Sequence, residues 1–499
     1  MLKRKWKILI FVLVLILALS TYYFFINDKP EDVFLIDEDD QEKSIYKIEC
    51  ELNTEQKTLS AVQELNYYNN DDIDMNEIYF HVYPNAFKSK DTAPFLFDDF
   101  DNAYKRGFES GYAEILSVSR IEKDGEKLLN HSFSGAGDTI LKVELDIPLK
   151  PGNRVDLRIN FKLYIPPAGE RFGYGDNNFN LGNWYPIAAV YDDRDGWNLD
   201  KYYPIGDPFF SDVSDYKVSI KAPKDYIIAA SGKNTYIKTE GNYTFWTFEE
   251  SALRDFAFVA NNRFKVIEQN LDGINIKSYF YEGEDKRGKE ALECGVKSIK
   301  LFNKLFGKYP YNDYSIVETE FPSGMEYPML VYISDKWYKS DYSSDPLIIT
   351  TVHETAHQWF YGIVGNDQID EAWLDESFAA YSEVLYAESV YGKKTGREYY
   401  ERAVEDSVKE ALSSNTIDGL LLKSLSDFDD WNDYGPTAYD RGAQMLHELR
   451  KMLGDDTFFK ILRSYVEKYK FRIAYTDDFI NVCEEISGKD LTEFFKHWF

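Results

Sequence analysis

The 499-residue sequence predicts a multi-domain α+β protein, in which an N-terminal antiparallel β-sandwich-like domain is followed by a mostly helical domain. Three observations predict it. Before residue 265 apolar residues alternate with polar ones, as in TILKVELDIPL (139–149) and RVDLRINFKLY (154–164), with Pro and Gly between the stretches. After residue 265 apolar positions recur at helical spacing, over 286–306, 401–411, 439–451 and 456–469. Roughly 470 residues follow the first apolar run, ample for two or more cores of ordinary size.

At the N-terminus Lys3, Arg4, Lys5 and Lys7 precede Ile8 to Ile26, nineteen residues without a charge. At about 1.5 Å per residue the run covers about 28 Å, close to the hydrocarbon core of a bilayer. Tyr22, Tyr23, Phe24 and Phe25 carry it past the small-x-small sequence Ala18-Leu19-Ser20. That continuation favours a retained transmembrane helix (8–26) over a cleaved signal peptide, with secretion after cleavage as the alternative. The basic tail (1–7) then lies in the cytoplasm, the lipid bilayer is a partner, and the rest of the chain is extracellular at the plasma membrane. Residues 27–44 read as an acidic tether containing Pro30.

Two domains follow, an all-β one over 45–265 and a second over 266–499. The net charge of −29, with no lysine cluster beyond the tail, argues against nucleic acid as a partner and favours cationic N-termini or basic peptides. Cys50, Cys294 and Cys483 are too few and too far apart for a disulfide framework. Nothing implies an obligate protein partner.

The chemistry-bearing segment is HETAHQW, from His353 to Trp359. His353 and His357, four apart, stand on one face of a helix and can share a metal, with Glu354 placed to take a proton from water. Asp345-Pro346 supplies a capping carboxylate and a first-turn proline, and Gly362 and Gly365 let the chain leave the helix. Glu376 follows on the apolar run EAWLDESFAA, where a carboxylate is costly unless something positive meets it. Two imidazoles and one carboxylate hold one Zn2+ per chain and leave a coordination place for chemistry, whereas structural sites close with four protein ligands.

HETAHQWF and WLDESFA, together with Ser323-Gly324-Met325-Glu326-Tyr327-Pro328, Phe306-Gly307-Lys308-Tyr309-Pro310 and Tyr439-Asp440-Arg441-Gly442, resemble the M1 family of zinc metallopeptidases, the gluzincin aminopeptidases. The resemblance covers roughly residues 45 to 499 and is weaker in the first half. It implies a thermolysin-like, mostly helical zinc peptidase domain, in a minimal form lacking the C-terminal helical domain, with a more open cleft. It implies zinc on His353, His357 and Glu376, and Glu354 as base and then acid. Tyr439, ahead of the neighbouring Tyr434, would donate to the carbonyl oxygen as it gains charge. Gly324-Met325-Glu326 matches the exopeptidase motif: Glu326 binds the substrate's free α-amine, Gly324 admits backbone close to the substrate, and Met325 lines an apolar first pocket.

The chain departs from the family pattern in two places. Tyr327 stands where many relatives have asparagine, and no residue of Asn180 to Trp197, the region expected to hold a second amine-binding group, can be assigned that role. Glu383 and Asp375 are candidates to orient the histidine ligands. The expected function is release of N-terminal residues from peptides with a free N-terminus. The alternatives are a zinc endopeptidase or other zinc hydrolase on the same scaffold, and a non-catalytic surface binding protein.

Overall fold

Alternation along the sequence becomes alternation of burial along the strands. In Arg154–Tyr164 the side chains of Leu157, Ile159, Phe161 and Leu163 are fully buried while their neighbours face outward. This strand belongs to an eight-stranded sheet whose spatial order is Lys233–Glu240, Tyr243–Leu253, Ser214–Pro223, Ser44–Asn53, Thr58–Tyr68, Arg154–Tyr164, Tyr112–Glu122 and Gly125–Leu128. Two four-stranded sheets accompany it. One orders Ile227–Ala230, Phe258–Asn261, Asn178–Leu181 and Phe172–Tyr174, and the other Ile187–Ala188, Met75–His81, Ile140–Leu149 and His131–Ser134. The pairing in these three sheets is antiparallel with one exception. Ser44–Asn53 runs parallel to Ser214–Pro223, which the long chain segment between them permits.

The computed structural model describes residues 42–176, 178–339 and 346–499. The apolar run at 8–26, the tether up to residue 41 and the capping Asp345 lie outside the described residues. Residues 41–499 form one compact unit. Among the described residues no helix is long and apolar enough to cross a membrane.

The second half is built on a five-stranded sheet in the order Phe264–Leu271, Ile274–Tyr281, Asp313–Thr319, Leu330–Ser334 and Gly324–Met325. The last of these is an edge strand, antiparallel to the one neighbour it has among the described residues. Helix α1 (Asp285–Leu305) packs against the sheet, followed by α2 (Pro346–Ala356) and α3 (Trp373–Tyr391). Helices α4 (Gly442–Leu453), α5 (Asp455–Tyr469) and α6 (Thr476–Ser487) follow at about the positions the periodicity predicts. Cys50, Cys294 and Cys483 are buried thiols.

Aromatic residues join these helices. Phe360, just beyond α2, stacks on Phe378 of α3 with ring centroids 4.4 Å apart, and Trp373 meets Phe479 of α6 edge-on. Helix α4 approaches α3 closely because Gly442 has no side chain: a Cβ there would lie 1.6 Å from Ser377 Oγ, which donates to Ala438 O at 2.6 Å. Gly442→Ala is therefore expected to lower the unfolding free energy by about 1–3 kcal/mol through overpacking. Urea denaturation measures this, and Ser377→Gly in the same chain should recover part of the loss.

Candidate active site and metal centre

Helix α2 lies under the edge strand and carries the HETAH segment at its end. His357 is one residue past the regular helix, yet its N–H still donates to His353 O at 3.3 Å, so the two imidazoles remain one turn apart. Local ties hold this end in place. Trp359 Nε1 donates to Gly307 O at 2.9 Å, joining it to the FGKYP turn. Gln358 accepts from Met329 N at 2.7 Å and donates to Tyr327 O at 3.2 Å, joining it to the GMEYP turn. Tyr327, fully buried, donates in turn to Asn183 Oδ1 at 2.9 Å in the β layer. Tyr327 thus pins the motif to the first half of the chain.

His353 Nε2 and His357 Nε2 face each other at 3.1 Å, and Glu376 Oε2 lies 3.1 Å from the first and 3.4 Å from the second. The remaining ring nitrogens are occupied: His353 Nδ1 meets Glu383 Oε1 at 2.8 Å and His357 Nδ1 meets Phe360 O at 3.1 Å. With both Nδ1 atoms donating, the two Nε2 lone pairs converge on one point. Neighbouring ligands of a tetrahedral zinc with bonds of about 2.0–2.1 Å are separated by about 3.3 Å, so the donor set and its spacing fit that ion. Of the two expected orienting acids, Glu383 acts on His353. Asp375 does not touch a histidine, because its carboxylate accepts from Gln368 Nε2 at 2.5 Å and from Glu376 N at 2.8 Å.

Burial and crowding shift the protonation of this cluster. Burial alone would lower both histidines, but Glu376 and Glu383 hold His353 well above its ordinary value, and Glu326 with Glu376 carries His357 up to about 10. Glu376, despite burial, is held well below the carboxylate range by the two imidazoles. Burial pushes Glu354 up to about 7 against the pull of both histidines. A divalent ion would displace any protons that these acids favour on the imidazoles, since metal ligands bind deprotonated.

A cavity of about 510 Å3 opens over the triad and contains the expected Gly324, Glu326, Glu354 and Tyr439 in its walls. Glu354 packs under Gly324, where a Cβ would fall 2.0 Å from Glu354 Oε1, so only glycine lets the edge strand pass over this acid. Glu354 Oε2 is buried without a hydrogen-bond partner among the described residues. Glu326 is 3% exposed and accepts from Gln368 Nε2 at 3.2 Å, with carboxylate oxygens near those of Glu354 and the ring of His357. Tyr439 sits in a π-helical turn, Gly435–Arg441, that stacks its ring on His353 and directs its hydroxyl to Glu376 Oε1 at 2.6 Å. Tyr434 is fully buried behind it and does not reach the cavity.

Met325 is not where the sequence places it. Neighbouring residues of a strand face opposite sides, so Gly324 and Glu326 look into the cavity while Met325 looks away, its sulfur 2.9 Å from Arg171 Nε. The segment Asn180 to Trp197 supplies no cavity wall; Asn183, Trp184 and Tyr185 instead bond to Asp255 and Phe256 within the fold. Sequence reading missed Arg171 and Asp207, a buried ion pair that lines the cavity beside Glu326. Burial and then the Glu326 charge raise Asp207 above its ordinary value although Arg171 opposes both. The signal available was the exposed-type dipeptide Gly206-Asp207 inside an otherwise apolar stretch, which alone names no role. Phe97, from a loop of the β half, meets Trp431 of the helical half at 4.9 Å and roofs part of the cavity.

Known proteins resemble this chain in sequence and in fold. The peptidase family M1 domain model matches residues 290–498. Aminopeptidase M1-B of Oryza sativa subsp. japonica is 28% identical over 296 residues, 57% of this chain and 34% of the relative. Aminopeptidase 2 of Candida albicans is 24% identical over 440 residues, 83% of this chain and 45% of the relative. The chain thus spans between a third and a half of the length of these relatives. An M1 zinc metallopeptidase from Deinococcus radiodurans has the same fold, with a TM-score of 0.62, 18% identity, and 92% of this chain and 93% of that one covered. A mutant of that protein, solved with a Tyr-Ser-Ala substrate, gives a TM-score of 0.62 over 91% of this chain and 93% of its own.

The full chain, purified with metal, is expected to carry one zinc, and His357→Ala to carry none. Glu383→Gln should retain the ion but weaken its affinity about tenfold to a hundredfold, because His353 loses its orienting acceptor. Competition against a chromophoric chelator measures both.

Proposed function

With residues 290–498 forming a peptidase family M1 domain, we propose that this chain is a zinc aminopeptidase that removes single residues from the free N-terminus of peptides. The observation that carries this reading is the position of Glu326. Its carboxylate faces the same cavity as Glu354 and the zinc-binding triad, and no lysine or arginine among the described residues forms an ion pair with it. An α-ammonium group near neutral pH is cationic and fits a buried acid in need of a partner. Asp207 adds a second carboxylate next to it, backed by Arg171. The pair fixes the amine end, so the first peptide bond falls over the triad.

Zinc, when bound to His353, His357 and Glu376, supplies the positive charge that polarises a carbonyl and makes water acidic enough to attack at neutral pH. Glu354, held under Gly324 with one oxygen unpartnered among the described residues, would accept a proton from the attacking water and return it to the leaving nitrogen. Tyr439 is within reach of the triad through its bond to Glu376, and its hydroxyl can turn to the oxygen on which negative charge develops. The edge strand Gly324–Met325 pairs with one strand among the described residues, and an extended peptide could align along its other side.

The enzyme is further proposed to be anchored by residues 8–26 with its catalytic part outside the cell. The support is the basic cluster ahead of nineteen uncharged residues and the acidic tether behind them. Expressed in full, the chain should remain with membranes after an alkaline wash and be cleavable by protease added to intact cells. Release by the wash would sink the anchor.

Glu354→Gln is expected to keep its zinc and lose kcat by about 10²–10⁴, and Tyr439→Phe by about 10²–10³. Glu326→Ala should raise KM for unblocked peptides more than it changes kcat. Mass spectrometry of paired free and N-acetylated peptides tests the exopeptidase reading: acetylation should abolish cleavage by the wild type. Cleavage of the acetylated peptides at internal bonds would establish an endopeptidase instead.

A further inference from the structure

Acids besides those of the triad line the cavity, and they differ in what answers their charge. On the His357 side lie Glu326 and Asp207, the latter paired with Arg171. Glu383 meets His353, and Asp440, held by Ser407, lines the same cavity, as do the α2 residues Ile349 and Thr350. Glu383 is satisfied within the protein, since it accepts from His353 Nδ1 and from Tyr399 Oη. Asp440 is not. One of its oxygens accepts from Ser407 Oγ at 2.5 Å, which fixes the carboxylate, and among the described residues no cation forms an ion pair with it.

The next residue in the chain could have supplied that cation and is turned away. Arg441 donates to Gly419 O at 3.1 Å and to Gln444 Oε1 at 2.7 Å, and lies over the ring of Trp498 at 4.0 Å. Asp440 is therefore a half-buried carboxylate, held in one orientation, open to the substrate cavity and short of a positive partner.

Which part of a substrate passes Asp440 follows from the aminopeptidase reading above, on which this inference rests. With the amine at Glu326 on the His357 side, the chain beyond the scissile bond leaves over His353. Successive Cα atoms are about 3.8 Å apart, so the side chain next after the bond emerges near Ile349, Thr350 and Asp440. We propose that Asp440 is a specificity-determining residue that selects lysine or arginine at the position following the cleaved bond. The aliphatic stem of such a residue would lie along Ile349 while its charge meets the carboxylate.

The test compares kcat/KM of the purified, zinc-loaded full chain on Ala-Lys-Ala, Ala-Leu-Ala and Ala-Glu-Ala. The wild type is expected to prefer the lysine peptide over the glutamate peptide by about tenfold. The preference should shrink in about 0.5 M NaCl. Asp440→Asn keeps the bond to Ser407 and should bring the lysine-to-glutamate ratio towards one, and Asp440→Lys should invert it. A merely structural role would lower all three rates together and leave the ratio unmoved; that outcome, or a wild type indifferent to the second residue, overturns the proposal. Absence of hydrolysis of all three peptides by the wild type would instead overturn the aminopeptidase reading, and this inference with it.

Discussion

Two imidazole nitrogens 3.1 Å apart, with a carboxylate oxygen at the same distance from one of them, are the constraint around which the rest is arranged. Neutral imidazoles would set two lone pairs against each other, and doubly protonated ones would set two cations side by side. A shared divalent ion removes both conflicts at once and accepts the Glu376 charge as well. Such an arrangement is unfavourable as an empty one, so the fold has to hold it from outside. Glu383 and Phe360 O fix the rings, the Phe360 and Phe378 stack fixes α2 against α3, and the close Gly442 contact fixes α3 against the helix that follows.

The same economy of space explains the edge strand. Gly324 crosses Glu354 at a distance that no Cβ tolerates, and Gln358 binds the turn that follows through two backbone groups. Glu354 on its helix and Glu326 just past the edge strand are thereby held at fixed separation. Moving either would misplace the reacting atoms, and misplacement of about 1 Å is enough to cost about a hundredfold in rate. The tie from Tyr327 to Asn183 extends this rigidity into the β half, which in turn delivers Arg171 and Asp207 to the cavity.

Local spacing made much of this legible. His353, Glu354, His357 and Glu376 are separated by helical intervals or lie on a strongly apolar helix, so their joint placement follows from short-range geometry. Glu326 and Tyr439 came from motif order, since neither an edge strand nor a π turn has a clear periodic signal. Met325 shows the limit: in a two-residue strand the face of each side chain is set by tertiary pairing, and the apolar residue turns inward to Arg171. Asp207 and Asp440 illegibly belong to the site for a different reason. Both lie in irregular or π-helical backbone, and their role depends on which distant elements approach them. The parallel pairing of Ser44–Asn53 with Ser214–Pro223 is similarly a long-range choice that alternation alone does not encode.

Charge then connects the cavity to the whole chain. Glu326, Asp207, Glu354, Glu376, Glu383 and Asp440 line one cavity, and Arg171 is the sole lysine or arginine among its described lining residues. Burying that many acids is costly, and a divalent ion at the centre answers only part of the imbalance. The remainder favours a substrate that brings positive charge, first at its amine and then wherever an acid remains unmatched. Arg171 lines the cavity with its charge already answered by Asp207. Its ion pair with Asp207 and its contact with Met325 hold its guanidinium in place. The net charge of −29 acts in the same sense at longer range, but salt screens it, whereas the acids inside the cavity are screened less.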